Sequence, residues 1–408
     1  MLNAKAGDQY RFNWNTPVVM SPHNPKIVWL GGNRLFKSYN QGDTWVASDD
    51  LTKQIDRNTV SLMGVPGNVT QLSKNDGAVS YSTIISISES PILPGVVWAG
   101  TDDGNLQVTR DGGATFTEVG KNIPGLPANH LYWISRVDAS HFDAGTAYVS
   151  VDGHRSDDLK PYVYVTRNSG QSFESITGNL PQFGNVQVVR EDPKNRNLLY
   201  VGTEFGLYVS LDGGKAWQRM TNGYPTVRTD DILVHPREND LVVATHGRSV
   251  YIADDITPLQ QLTPEILGEE AHVFDVRPAI AYLNDQQHGQ QVGGQKHFVG
   301  ENAPRGTYIN YYLKSAASGD VKIAIADSAG KTIRTIDGTK VQGINRVLWN
   351  LAPDQPAGGR GGAGGGGGGR GGQPQAVDAG TYIVTLSAGA KTYAKPVSVL
   401  QDRWLSER

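Results

Sequence analysis

Four eight-residue stretches of this chain keep one pattern of hydroxyl, Asx, glycine and aromatic residues at fixed places. They run Ser38-Tyr39-Asn40-Gln41-Gly42-Asp43-Thr44-Trp45, Thr109-Arg110-Asp111-Gly112-Gly113-Ala114-Thr115-Phe116, Thr166-Arg167-Asn168-Ser169-Gly170-Gln171-Ser172-Phe173 and Ser210-Leu211-Asp212-Gly213-Gly214-Lys215-Ala216-Trp217. Such a repeat restricts the fold strongly, because every copy must be the same supersecondary unit stacked on its neighbours. The hydroxyl and Asx side chains suit hydrogen bonding to backbone amides in a tight turn. Glycine permits positive φ, and the aromatic packs between sheets. On this reading Ser38, Asn40, Gly42, Trp45, Thr109, Asp111, Gly113, Phe116, Thr166, Asn168, Gly170, Phe173, Ser210, Asp212, Gly214 and Trp217 are structural.

The residues around each copy repeat too. An alternating run, Val186-Gln187-Val188-Val189-Arg190, is followed by Leu198-Leu199-Tyr200-Val201, a turn at Gly202-Thr203-Glu204-Phe205-Gly206, and Leu207-Tyr208-Val209-Ser210. The closing aromatic opens a fourth short strand, Trp217-Gln218-Arg219-Met220. The last interval between copies fits the ~40 to 50 residues of a four-stranded propeller blade, and insertions account for the longer ones. A fifth unit follows from Ile232 to Ala253, where the octapeptide decays to Ala253-Asp254-Asp255-Ile256-Thr257. A decayed last copy marks the end of an array.

From about Ala271 strands such as Ile309–Leu313, Val321–Ile325, Asn345–Trp349 and Tyr382–Leu386 run without the octapeptide, as in a small Ig- or FnIII-like β-sandwich. The expected organisation is all-β: a propeller over 1–259, a connector over 260–270, and a sandwich over 271–408 with a glycine-rich loop at 358–372.

Composition removes several functions. A net charge of -3 without long basic runs argues against nucleic acid. No run approaches ~18 apolar residues, so no membrane span is expected. The absence of cysteine excludes disulfides and thiolate chemistry. The opening residues, Met1 to Asp8, lack the apolar core of a signal peptide, so either the protein stays inside or its natural N-terminus is missing. No phosphate loop, Gly-x-Ser-x-Gly elbow or His-Glu-x-x-His pattern occurs, and neither cofactor nor metal is expected.

The octapeptide resembles the Asp-box, or bacterial neuraminidase repeat, of sialidases, family 74 xyloglucanases, sortilin-type propellers and photosystem assembly factors. Stretches such as Arg11-Phe12-Asn13-Trp14-Asn15-Thr16-Pro17 and Gly380-Thr381-Tyr382-Ile383-Val384-Thr385-Leu386 resemble the C-terminal part of large exported bacterial sortilin-like or glycosyl-hydrolase-like proteins. This resemblance implies an extracellular or periplasmic location and further blades upstream or a second propeller. Sortilins carry a cysteine-rich module, absent here. Sialidases use an arginine triad, and no local motif assigns Arg34, Arg136, Arg190 or Arg248 to one.

Turns alternate between the two ends of a blade, so the turns joining second to third strands lie opposite the octapeptides. These turns hold Gly32-Asn33-Arg34, Thr101-Asp102-Asp103-Gly104-Asn105, Asp152-Gly153-His154-Arg155-Ser156-Asp157-Asp158, Thr203-Glu204-Phe205-Gly206 and Thr245-His246-Gly247-Arg248. Exposed turns commonly carry function. Asn33, Arg34, His154, Arg155, Asp157, Asp158, His246 and Arg248 are candidate ligand contacts for a glycan or a peptide. Glycoside hydrolysis needs two carboxylates about 5 to 9.5 Å apart, and Asp102, Asp103 and Glu204 are the candidates for it. A protein-interaction scaffold is a third reading.

Overall fold

The computed structural model describes residues 9–62, 65–66, 81–282, 304–354 and 376–403. The glycine-rich segment 358–372 lies outside them. The chain divides into two compact units, Met1–Ile256 and Thr257–Arg408.

Unit one is a β-propeller architecture of successive antiparallel sheets, each folded in simple chain order. Blade one is Val18–Met20, Val28–Gly31, Arg34–Ser38 and Val46–Asp50. Blade two is Ile84–Glu89, Val97–Thr101, Leu106–Thr109 and Thr117–Glu118. Blade three is Trp133–Ala139, Ala147–Asp152, Tyr162–Thr166 and Glu174–Ser175. Blade four is Val186–Glu191, Leu199–Thr203, Gly206–Ser210 and Gln218–Arg219. Blade five has only three strands, Thr229–Val234, Leu241–Thr245 and Val250–Ala253. Its octapeptide has lost the hydroxyl and glycine that turn the chain into a fourth.

The four octapeptide turns are built alike. The first hydroxyl accepts from the amide four residues on: Ser38 from Gly42 at 2.8 Å, Thr109 from Gly113 at 3.0 Å, Thr166 from Gly170 at 2.9 Å and Ser210 from Gly214 at 2.8 Å. The Asx carboxyl or amide oxygen accepts likewise from Thr44, Thr115, Ser172 and Ala216. Positive φ at Gly170 and Gly214 lets the turn press on the preceding blade, where a Cβ would meet Val119 and Ile176 within 2.9 Å.

Blades bury apolar side chains between them. Trp29 and Leu35 meet Ile84, Ile87 and Val97; Trp98 and Leu106 meet Ile134 and Val137; Val163 and Val165 meet Val186 and Leu199. Charged residues on the first strands form a ladder: Arg190 donates to Asp138 at 2.8 Å and Asp231 at 3.2 Å, and Arg136 pairs with Asp231 at 2.9 Å.

Unit two opens with short helices, Thr257–Gln261 and Pro264–Gly268, where the sequence suggested a plain connector. Thr263 caps the second by accepting from the Ile266 amide. A three-stranded and a five-stranded sheet then enclose one core around Ile309, Tyr311, Ile323, Trp349, Val384 and Val397.

Candidate functional site

The residue after the second strand donates its amide to the residue just before the first strand: Asp102 to Thr83 at 3.0 Å, Glu204 to Asn185 at 3.1 Å and His246 to Arg228 at 3.0 Å. The second-to-third turns therefore share one end of the blades with the entries to the first strands. In blades two to five the first strand also shifts register near this end, between Ile84 and Ser86, Trp133 and Arg136, Val186 and Val188, and Thr229 and Asp231. Such a bulge re-aims a side chain. Blade two has Ile85 there, whereas blades three, four and five have Ser135, Gln187 and Asp230.

Gln187 and Asp230 belong to a continuous network, while Ser135 bonds Ser150 and the Val186 carbonyl. Arg228 Nη2 donates to Gln187 Oε1 at 3.1 Å and its Nε to Asp230 Oδ1 at 2.7 Å, while Nη1 lies 3.9 Å from Glu204. His246 Nδ1 stands 3.3 Å from the other Asp230 oxygen. Gln187 in turn donates to Asp152 at 3.4 Å, and Asn185 does so at 3.0 Å. His154 Nδ1 lies 2.7 Å from Asp152 Oδ2. Burial opposes the charge of Asp152, but the bonds and charge of His154 and the nearby Arg155 outweigh it and hold its pKa below the usual carboxylate value. Arg155 lies over the Trp133 ring at 3.7 Å.

Two exposed aromatic residues adjoin members of this network in the chain: Phe205 follows Glu204, and Phe183 stands two residues before Asn185. They come from adjacent segments, since a Cβ on Gly184 would stand 3.2 Å from the Phe205 ring. Arg219 steadies the turn by donating to the Phe205 carbonyl at 2.8 Å. Asp158 accepts from both Tyr132 at 2.9 Å and Tyr162 at 2.7 Å, and burial together with this carboxylate pushes Tyr132 up to about 12. Asp157 is exposed and ends a short turn in the left-handed region.

The structure thus joins His154, Glu204 and His246, and places Arg155, Asp157 and Asp158 beside them. Arg248 is exposed on its turn, with its amide held by Thr245. The remaining candidates are anchored in the fold. Asp102 is fully buried and accepts from the Thr83 amide, the Thr83 hydroxyl and Asn13. Asp103, equally buried, accepts from Thr101 and the Lys53 amide. Carboxylates so enclosed are not open to substrate, which corrects their reading as catalytic groups. Asn33 is buried between Asp50 and the Arg11 amide, and Arg34 donates to the Ser48 carbonyl. Asn33 is thus held inside blade one, and Arg34 is half-buried beside it. Arg136 and Arg190 are occupied by the ladder.

Sequence reasoning missed Asp152 as the hub, and Asn185, Gln187, Arg228, Asp230 and Phe183 altogether. Asn185, Gln187, Arg228 and Asp230 share a position, at the entry of a first strand or at its bulge, and a bulge is invisible in an alternating run. No helix among the described residues is long and apolar enough to cross a membrane.

No protein-family model matches the chain. Over 166 residues it is 27% identical to an oligoxyloglucan-reducing end-specific xyloglucanase of Emericella nidulans, a match covering 40% of this chain and 17% of that protein. The chain thus spans less than a fifth of that relative. Among solved structures, similarity extends to the GH74 xyloglucanase from Xanthomonas campestris, at 15% identity over 92% of this chain and 57% of that one, with a TM-score of 0.43. The GH74 enzyme of Niastella koreensis is similar at 17% identity over 94% and 57%, with a TM-score of 0.40. YCF48 bound to D1 peptide is similar at 16% identity over 62% and 71%, with a TM-score of 0.38.

Proposed function

We propose that the end of blades three to five formed by the second-to-third turns binds a polysaccharide chain. The observation that carries this reading is the exposed pair Phe183 and Phe205 beside an unbroken polar network. Sugars present apolar ring faces and equatorial hydroxyls, so exposed aromatic rings together with fixed donors and acceptors are the matching chemistry. In this reading Phe183 and Phe205 stack on sugar rings. Asn185, Gln187, Arg228, Glu204 and the outer face of His154 bond the hydroxyls, and Asp152 and Asp230 hold those groups in place. The xyloglucanase relative supports a xyloglucan-type glycan as the first ligand to examine. The same reading places the protein outside the cytoplasm.

Hydrolysis is the second reading, supported by that relative's activity. Glu204 and Asp230 are its partly exposed carboxylates, bridged here by Arg228. Titrating wild-type protein and Glu204→Gln with xyloglucan oligosaccharides, while measuring released reducing ends, separates the readings. Binding without turnover supports a binding module. Turnover lost in Glu204→Gln supports an enzyme, and silence in both assays refutes the two together.

A further inference from the structure

A residue that the repeat does not require stands out against its counterparts in the other blades. The first-to-second turns lie at the octapeptide end, where Gly112 donates its amide to the Gly95 carbonyl at 3.0 Å, Ser169 to Gly145 at 2.7 Å and Gly213 to Asn197 at 2.8 Å. In blades one to four these turns close alike. Ser21, Ser90, Ser140 and Asp192 donate their amides to the carbonyls of Ile27, Val96, Thr146 and Leu198. The residue that follows is Pro22, Pro91, Pro193 and, in blade five, Pro236, but in blade three it is His141.

Proline has no N–H, and His141 uses the one it gains. Its amide donates at 2.6 Å to Glu191 of blade four, which also accepts from the Ser140 hydroxyl at 2.9 Å and the Tyr148 phenol at 3.0 Å. The carboxylate is buried under these bonds. Ser140, Tyr148 and Glu191 line a cleft of about 330 Å³ between blades three and four, and Phe142, Arg167, Arg196, Asp143, Asp212 and Lys215 line it as well.

Two of its cations are also departures from the repeat. Arg196 stands where blades one to three have Pro25, Pro94 and Ala144, and Lys215 where their octapeptides have Asp43, Ala114 and Gln171. Neither is needed to make a turn. Arg167 is taken up by Glu174 at 2.6 Å, and the Arg196 guanidinium lies over the Phe142 ring, 5.2 Å from its centroid. Among the described residues, neither Arg196 nor Lys215 has an ion pair or a side-chain hydrogen bond. The Oδ2 atoms of Asp143 and Asp212 are likewise unbonded among them, because amides of each turn hold these carboxylates through Oδ1.

We infer that this cleft binds a peptide segment through an acidic side chain. The ligand carboxylate meets Arg196 and Lys215, and backbone N–H groups of the peptide meet the open oxygens of Asp143 and Asp212. A polyanionic sugar has no N–H for those oxygens and sets its own charges against them, and Arg196 covers the Phe142 face on which a sugar ring would stack. A single phosphate fills only a small part of the cleft. The site lies at the opposite end of the blades from the glycan surface and does not rest on that reading.

Selection of a displayed library of random heptapeptides on the immobilised full chain tests this, at about 0.15 M salt to screen general surface attraction. Selected peptides are then synthesised and titrated by fluorescence anisotropy. A class carrying Asp or Glu is expected, with binding weakened about tenfold or more by Arg196→Ser with Lys215→Ser. Lys331→Ser with Lys391→Ser, the same loss of charge on the sandwich, is expected to leave it unchanged. The inference is overturned by a selection without an acidic class, by equal weakening in the two double variants, or by oligogalacturonate binding the cleft more tightly than any selected peptide. If the first double variant does not fold, amide exchange of wild type with a selected acidic peptide decides. Added protection over 140–146 and 192–197 is expected, and protection gained only elsewhere overturns the assignment.

Discussion

Arg228 Nη2 donates to Gln187 Oε1 at 3.1 Å, a bond that passes from the entry of blade five to the bulge of blade four. It links the Asp152 and His154 half of the site to the Glu204, Asp230 and His246 half. Arg228→Ala removes one group from three partners and should weaken glycan binding about tenfold or more, with a smaller effect on folding, since its carboxylate partners are partly exposed. Arg228→Lys should rescue little, because an ammonium cannot reproduce the guanidinium fork. Calorimetric titration beside a thermal melt checks both.

Asp152 does more than hold one neighbour. His154, Asn185 and Gln187 all donate to it, so Asp152→Ala leaves several buried groups unsatisfied and should cost about 2 to 4 kcal/mol of stability. Asp152→Asn should keep most of the stability, yet lose binding by turning the His154 ring. A denaturant melt combined with titration distinguishes the two variants, and equal stability loss in both contradicts this role.

The octapeptide glycines are expected to be structural alone. Gly214 sits at φ +91 with a would-be Cβ 2.9 Å from Ile176, so Gly214→Ala should destabilise by about 1 to 3 kcal/mol. The affinity of the folded fraction should not change. A shift in affinity without loss of stability would mean that this end of the blades also contacts ligand.

That prediction marks how far the sequence could be read. Ser210, Asp212 and Gly214 recur with their partners, so the turn, the blade and the end opposite the turn were all legible. Within the site the reading was uneven. His154, Glu204 and His246 stand in turns, where polar residues draw attention. Gln187 lies in an apolar alternating run and looks like an ordinary outward residue until the bulge turns it toward Arg228. Asp102 and Asp103 failed for the opposite reason. A turn rich in Asp reads as exposed, but Asn13 and Lys53 come from 89 and 50 residues away to close over it.

Asp102 should leave a trace in the pH dependence of stability. Burial raises it from 3.8 to about 7, against the pull of its bonds from Thr83. The native state then holds a proton that the unfolded chain releases above about pH 4, so the contribution of Asp102 to stability falls as pH rises from about 4 to 7. The fall is of the order of 3 kcal/mol across that window. His130 acts in the reverse sense. Burial, and then Lys53, lower it from 6.5 to about 4, so its contribution rises over pH 4 to 6.5. The stability difference between wild type and Asp102→Asn should therefore decline from pH 4 to 7, and that between wild type and His130→Gln should climb. Parallel curves in either pair contradict the corresponding assignment.

The central claim concerns the aromatic pair and the network beside it, and calorimetric titration with xyloglucan oligosaccharides tests it most directly, with wild type compared against Phe205→Ala and Phe183→Ala. The account predicts saturable binding that each substitution weakens about tenfold or more, with the melting temperature unchanged because both rings are exposed. Binding that survives both substitutions at full strength would contradict it, as would a wild type that binds no glycan while remaining folded.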